Sequence, residues 1–187
     1  MSLDGSNILE NFKETKRILS NTSILLQTAD SLMIKNGWQS EGQGVRESSS
    51  DLKNSARWVP WTLYRFYKKG EILRRAFISI LLDNQPEDEY GLVEPLITAG
   101  YFDIAAQEHW YYHWSQLYAY VSDKDERGDG RIIELPFDAD WRKRVPSSSV
   151  GGKPIGAAKC FAVPLTSVKS SQDLEAKIVS PLLKLLE

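Results

Sequence analysis

An α+β fold with a mainly antiparallel sheet of about five strands is the reading the chain supports, and three observations carry it. Apolar residues recur at heptad spacing over the first 36 residues, short strand-like runs joined by brief polar turns fill the middle, and a second amphipathic stretch closes the chain. Strand runs bracketed by helices, with links too short for helical crossovers between neighbouring strands, specify this class. A length of 187 residues is the scale of one domain able to bury roughly 70% of its unfolded surface.

The first element is a helix running from a cap at Ser6 or Asn7 toward Asn36, with Gly37 as the left-handed residue that ends it. Phe12, Leu19, Leu26 and Met33 repeat every seven residues, Ile18, Leu25 and Leu32 flank them, and Thr15, Thr22 and Ala29 keep the seam narrow. Such a stripe packs on a sheet or on another helix, and it can extend into a homodimer through the N-terminal helix. "SNTS" at 20–23 is its weak point, because these side chains compete for backbone hydrogen bonds. A break there is the alternative.

Residues 37–55, with three glycines and repeated serines, read as a long polar connection, mobile over about 39–55. "RWVPWTLYRFYKK" is a strand pushed by Pro60 toward an edge or a bulge. Gly70 supplies the turn into "ILRRAFISILLDN", whose apolar residues on both faces indicate a central strand. "LVEPLITAGYFDI" follows as a third strand, Pro95 implying an edge or an irregularity. Residues 105–121 form a middle helix with Ala106, Trp110, Trp114, Leu117 and Val121 on one face, or a strand if aromatic propensity prevails. "RIIELPFD" and "AAKCFAVPLTSV" are the last two strands, separated by a second mobile loop at 146–156. The final helix places Leu174, Ile178, Leu182 and Leu185 on one face and is expected to kink or restart near Pro181, where Ser180 can cap.

Composition narrows the function classes. Net charge is −2, too near neutral to imply a nucleic-acid or membrane partner on its own. A single cysteine excludes an internal disulfide, no apolar run approaches the ~20 residues of a membrane span, and the opening residues lack a secretory pattern. A cytoplasmic, disulfide-free protein is the expectation. Charge is unevenly spread: residues 57–75 hold six bases and one acid, and residues 83–108 hold seven acids and no base. Either neighbouring strands offset one another across the sheet, or the bases form a phosphate-binding surface.

The densest chemistry lies in "EHWYYHWSQLYAY", residues 108–120, with six aromatic rings and both histidines. His109, Tyr112, His113 and Tyr120 border that cluster and are the candidate ligand-contacting residues. On a helix His109 and His113 stand one turn apart, the spacing of a two-ligand metal platform. A divalent metal would need a third ligand, for which Asp103, Asp138 and Asp140 are available, and no cofactor is otherwise implied. Glu108 precedes the pair in the order E-H-x-x-x-H, so the zinc-protease pattern is absent. "SSSVGGKP" departs from the phosphate-loop motif at Ser147 and at Pro154, and Cys160 sits in a strand away from both histidines, a poor place for a nucleophile. "FDADWRKRV" reads as a surface turn with local ion pairs.

Together these features favour a binding or interaction module without intrinsic catalysis, using the aromatic and histidine-bordered surface toward a protein or small-molecule partner. One alternative is a nucleic-acid binder or enzyme using Arg57, Arg65, Arg74 and Arg75 with Arg142, Lys143 and Arg144. Another is a metal-dependent enzyme centred on His109 and His113.

Overall fold

The computed structural model describes residues 5–46, 60, 62–70, 73–82, 92–103, 118, 128–135 and 158–187. Helix α1 spans Gly5–Lys35, so Ser6 and Asn7, expected as caps, lie inside its first turn. No break occurs at 20–23. The hydroxyls there and nearby bond back along the helix instead of competing with it: Thr22 Oγ1 donates to the carbonyls of Ile18 (3.1 Å) and Leu19 (2.9 Å), and Thr15 and Thr28 do the same toward Asn11 and Ile24. A β-branched hydroxyl satisfied in this way costs the helix little. At the far end the Gly37 N–H reaches the Ile34 carbonyl and the Trp38 N–H the Met33 carbonyl, with φ +82° at Gly37. This is a Schellman stop, and Trp38 and Met33, both buried in one cluster, supply its apolar contact.

Six strands follow: β1 (Gln39–Arg46), β2 (Thr62–Lys68), β3 (Arg74–Leu81), β4 (Leu96–Asp103), β5 (Ile133–Leu135) and β6 (Ala158–Pro164). They form one sheet in the order β1-β2-β3-β4-β6-β5, and every neighbouring pair is antiparallel. Five of them match the expected strands. The sixth, β1, lies where a mobile polar connection is read from the sequence. As an edge strand of "QSEGQGVR" it shows no apolar alternation, and its register with β2 shifts between Ser40 and Gln43. Strand β3 is central, as its two apolar faces require. Strand β4 is central too, so of the edge or irregularity inferred from Pro95 the edge does not hold. That proline immediately precedes the strand, so no ladder donor is lost, and its carbonyl accepts from Leu165 N at 2.9 Å.

One face of the sheet carries Leu63, Tyr67, Ala76, Ile78, Ile80, Ile97, Ala99 and Phe161, and these pack against Leu26, Ala29 and Met33 of α1 and Leu174, Ile178, Val179 and Leu182 of the C-terminal helical segment. That segment comprises α2 (Ser171–Leu174), a π-helical turn (Glu175–Val179) and α3 (Ser180–Leu186). Its cap is Ser170, not Ser180: Ser170 Oγ accepts from Asp173 N at 3.0 Å, while Ser180 has helical backbone angles. Pro181 lacks an N–H and its ring crowds the preceding turn. The chain meets this by widening, the Ser180 N–H bonding to the Glu175 carbonyl five residues back.

The opposite face is buried as well, through Phe66, Phe77, Ser79, Thr98, Phe102, Ala158, Cys160 and Ala162. Phe102 meets Phe66 edge-on at 5.8 Å and stacks with Phe77 at 6.2 Å, and the Ser79 and Thr98 hydroxyls pair at 2.7 Å. Tyr118, also buried, accepts from Gly128 N at 2.8 Å. Apart from Tyr118, the stretch 105–121 lies outside the described residues, as does the loop 146–156.

Burial of Cys160 has a measurable consequence, since desolvation pushes its thiol well above the ordinary range. Below about pH 8.5 both folded and unfolded chains keep the proton. Above it only the unfolded chain releases it, so stability falls as pH rises, by up to about 1.4 kcal/mol per pH unit. Tyr67, raised by burial and by the Asp30 charge, adds a second loss above about pH 10. Urea midpoints measured from pH 7 to 11 should show the first decline in the native chain and its absence in Cys160→Ala. A flat profile to pH 10 in the native chain would contradict a buried thiol.

Candidate functional site

Three of the seven candidate bases for a phosphate surface are described, and each is engaged by a carboxylate. Arg65 points from β2 toward α1, where its Nε donates to Asp30 Oδ2 at 2.9 Å, and Tyr67, two residues on and on the same face, donates its hydroxyl to Asp30 Oδ1 at 3.0 Å. Arg74 and Asp103 sit opposite one another on β3 and β4 and pair through two bonds, at 2.9 and 3.2 Å. The guanidinium also lies 4.1 Å from the Tyr101 ring centre. Glu41 of β1 lies between Lys68 (3.3 Å) and Arg75, its second ion-pair partner.

Arg74 and Asp103 thus offset one another across neighbouring strands, as one reading of the charge pattern anticipates, whereas Arg65 is answered by Asp30 of α1 and Arg75 by Glu41 of β1, both outside the acidic stretch. Any phosphate would compete with partners already in place. Asp103, a candidate third metal ligand, has an Arg74 nitrogen on each of its oxygens. Arg57, Arg142, Lys143, Arg144, Asp138 and Asp140 lie outside the described residues, and so do His109, Tyr112, His113 and Tyr120. Among the described residues no group of three or more His, Cys, Asp or Glu is placed to hold a metal ion, and no helix is long and apolar enough to cross a membrane.

What the geometry adds is on α1. Its buried positions are Thr22, Leu26, Ala29 and Met33, and stepping back by three or four residues from Thr22 gives Leu19, Thr15, Phe12 and Ile8. Leu19 is partly buried against the core. Beyond it the large apolar members of the stripe are exposed, Phe12 at 63% and Ile8 at 38%, with Thr15 half-buried between them and Leu19 and with exposed Leu9, Ile18 and Lys16 on the flanks. The charges Glu10, Lys13, Glu14 and Arg17 fall on the other side of the helix, where Arg17 holds Glu14 in a two-bond pair that keeps the Glu14 carboxyl below its usual range.

A separate groove of about 380 Å³ lies between α1 and the start of α2, lined by Asn21, Ile24, Leu25, Val168, Lys169 and Leu174 among others. The heptad pattern revealed the stripe in advance. It did not reveal where the covering of that stripe stops among the described residues, because that depends on packing against elements distant in the chain.

No family model matches the chain, no curated protein is similar to it in sequence, and no solved structure matches it. The site's geometry is therefore the basis for a functional reading.

Proposed function

We propose that this chain is a binding or interaction module without intrinsic catalysis, and that the uncovered N-terminal half of α1 is its docking face. The supporting observation is the continuity of one apolar stripe: below Leu19 it is packed on the sheet, and above Leu19 identical chemistry is presented to solvent. Exposed apolar residues scattered singly mean little, whereas a contiguous row bordered by charge is the usual form of an interaction site. The residues His109, Tyr112, His113 and Tyr120 make a second candidate surface on sequence grounds. A nucleic-acid role is weaker, since Arg65, Arg74 and Arg75 already have carboxylate partners.

A photo-crosslinking residue placed at position 12 tests the docking face in cells producing the protein. Ultraviolet light should yield a defined covalent adduct with a protein, while the same residue at Glu14, on the charged side, should yield none. Absence of any adduct at position 12, or equal adducts at both positions, would defeat the proposal.

A further inference from the structure

At the other end of α1 from the docking face, we propose that the pair Asn36 and Gly37 is a deamidation site, held closed by the helix stop and opened when Trp38 leaves the core. An asparagine followed by glycine is open to attack by the next backbone nitrogen, because glycine has no Cβ to shield it. The Gly37 nitrogen gives up its proton to water and bonds to Cγ of Asn36. The bond from Cγ to Nδ2 breaks, and the nitrogen takes a proton from water and leaves as ammonia. A second water then opens the cyclic imide at either carbonyl, giving aspartate or, with the chain rerouted through the side chain, isoaspartate. Water is the sole co-reactant.

In the folded chain the reacting groups are exposed to solvent but held apart. The Gly37 N–H donates to the Ile34 carbonyl at 2.9 Å. Asn36 Nδ2 donates to the Leu32 carbonyl at 2.8 Å, which turns the side chain back along the helix and away from the Gly37 nitrogen. The N–H groups of Asn36 and Trp38 both reach the Met33 carbonyl at 3.1 Å. Trp38 is 5% exposed and Met33 0%, so releasing the turn means withdrawing an indole from the main core cluster. Asp129 and Gly130, the other pair of this kind among the described residues, make a poorer substrate. The Gly130 N–H is bonded to the Ala162 carbonyl, and the Arg131 backbone N–H holds the Asp129 carboxyl below its usual range, as an anion that resists attack.

The product does not fit the stop. Isoaspartate adds a carbon to the backbone between the Met33 carbonyl and the Trp38 N–H, so that bond cannot re-form with the indole in its native place. A new carboxylate at the end of α1 opposes the helix dipole, but Lys35 and Lys69 flank the position and offset it. Backbone lengthening is therefore the main effect. A chain that opens for long enough to react does not close fully again, and the junction records past unfolding.

Because this chemistry is slow beside opening and closing, the native rate is the unfolded-chain rate multiplied by the open fraction. The full-length chain is incubated at mildly alkaline pH, in buffer and in urea above its transition, and residue 36 is followed by mass-spectrometric peptide mapping. Conversion should be at least tenfold slower in buffer than in urea, and Gly37→Ala should slow it at least tenfold in urea, where folding plays no part. Urea below the transition should raise the native rate steadily, and Trp38→Phe should raise it in buffer while leaving the rate in denaturing urea unchanged. Equal rates in buffer and denaturing urea would overturn the closed turn, and no conversion in urea would overturn the site itself. A native rate indifferent to both low urea and Trp38→Phe would overturn the indole as its gate.

Discussion

Gly100→Ala should cost the protein about 3 kcal/mol or more, a large fraction of the roughly 5–15 kcal/mol by which domains are stable. Gly100 lies on β4 directly opposite Cys160 of β6. A Cβ built there would stand 2.2 Å from the Lys159 carbonyl oxygen and 2.8 Å from the Cys160 Cα. Those atoms are backbone in a central part of the sheet, so no flexible side chain can yield. The two strands would have to separate, breaking ladder bonds on both sides and opening the aromatic layer of Phe66, Phe77 and Phe102 beside them. Gly5→Ala is the matched control, because nothing lies within 4 Å of its added methyl. In urea melts it should be neutral or slightly stabilising, as alanine is the better helix former. A Gly100→Ala midpoint within about 1 kcal/mol of the native chain would mean that β4 and β6 do not approach this closely.

The same glycine shows where sequence reasoning stops. Strand β4 is legible from its apolar run, but that its neighbour is β6 and not β5 depends on a non-local pairing that no local pattern encodes. Helix α1 and the β2–β3 hairpin were legible because the forces that define them are local: heptad burial with a glycine stop at Gly37, and alternation around Gly70, which takes φ +58°. Strand β1 was hidden for the opposite reason. It is held by backbone pairing to β2 and by Glu41 reaching Lys68 and Arg75, and its own residues would suit a loop. At Pro181 the residue was a correct warning of irregularity, but the remedy was a π-helical turn and the cap belonged to Ser170. The partition of the N-terminal stripe into buried and exposed halves likewise depends on packing against the sheet and the C-terminal helical segment, both distant in the chain. The partners of Arg65 and Tyr67 were not foreseen, because Asp30 lies 35 and 37 residues earlier in the chain.

Asp30 should accordingly be the most costly charged residue of α1 to remove. Its carboxylate accepts from Arg65 and Tyr67 together, and the two side chains of the ion pair are only 16% and 20% exposed. Asp30→Ala removes the Asp30 carboxylate from a largely buried guanidinium and the acceptor from a buried phenol. The loss of an anchor between α1 and β2 of this kind costs about 2–4 kcal/mol, less than for a fully buried pair because some water reaches it. Asp30→Asn retains an acceptor oxygen for one donor and should cost roughly half as much. A cycle with Arg65→Ala should return a coupling of about 1–3 kcal/mol, since the two residues share one bond network. The variant also bears on function. If a polyanion bound the arginine row of β2 and β3, Asp30 would be its competitor for Arg65, and binding at low salt would tighten in Asp30→Ala. Unchanged or absent polyanion binding, together with the loss of stability, would assign Arg65 to holding the helix on the sheet. An Asp30→Ala protein as stable as the native chain would show instead that this contact does not fasten α1.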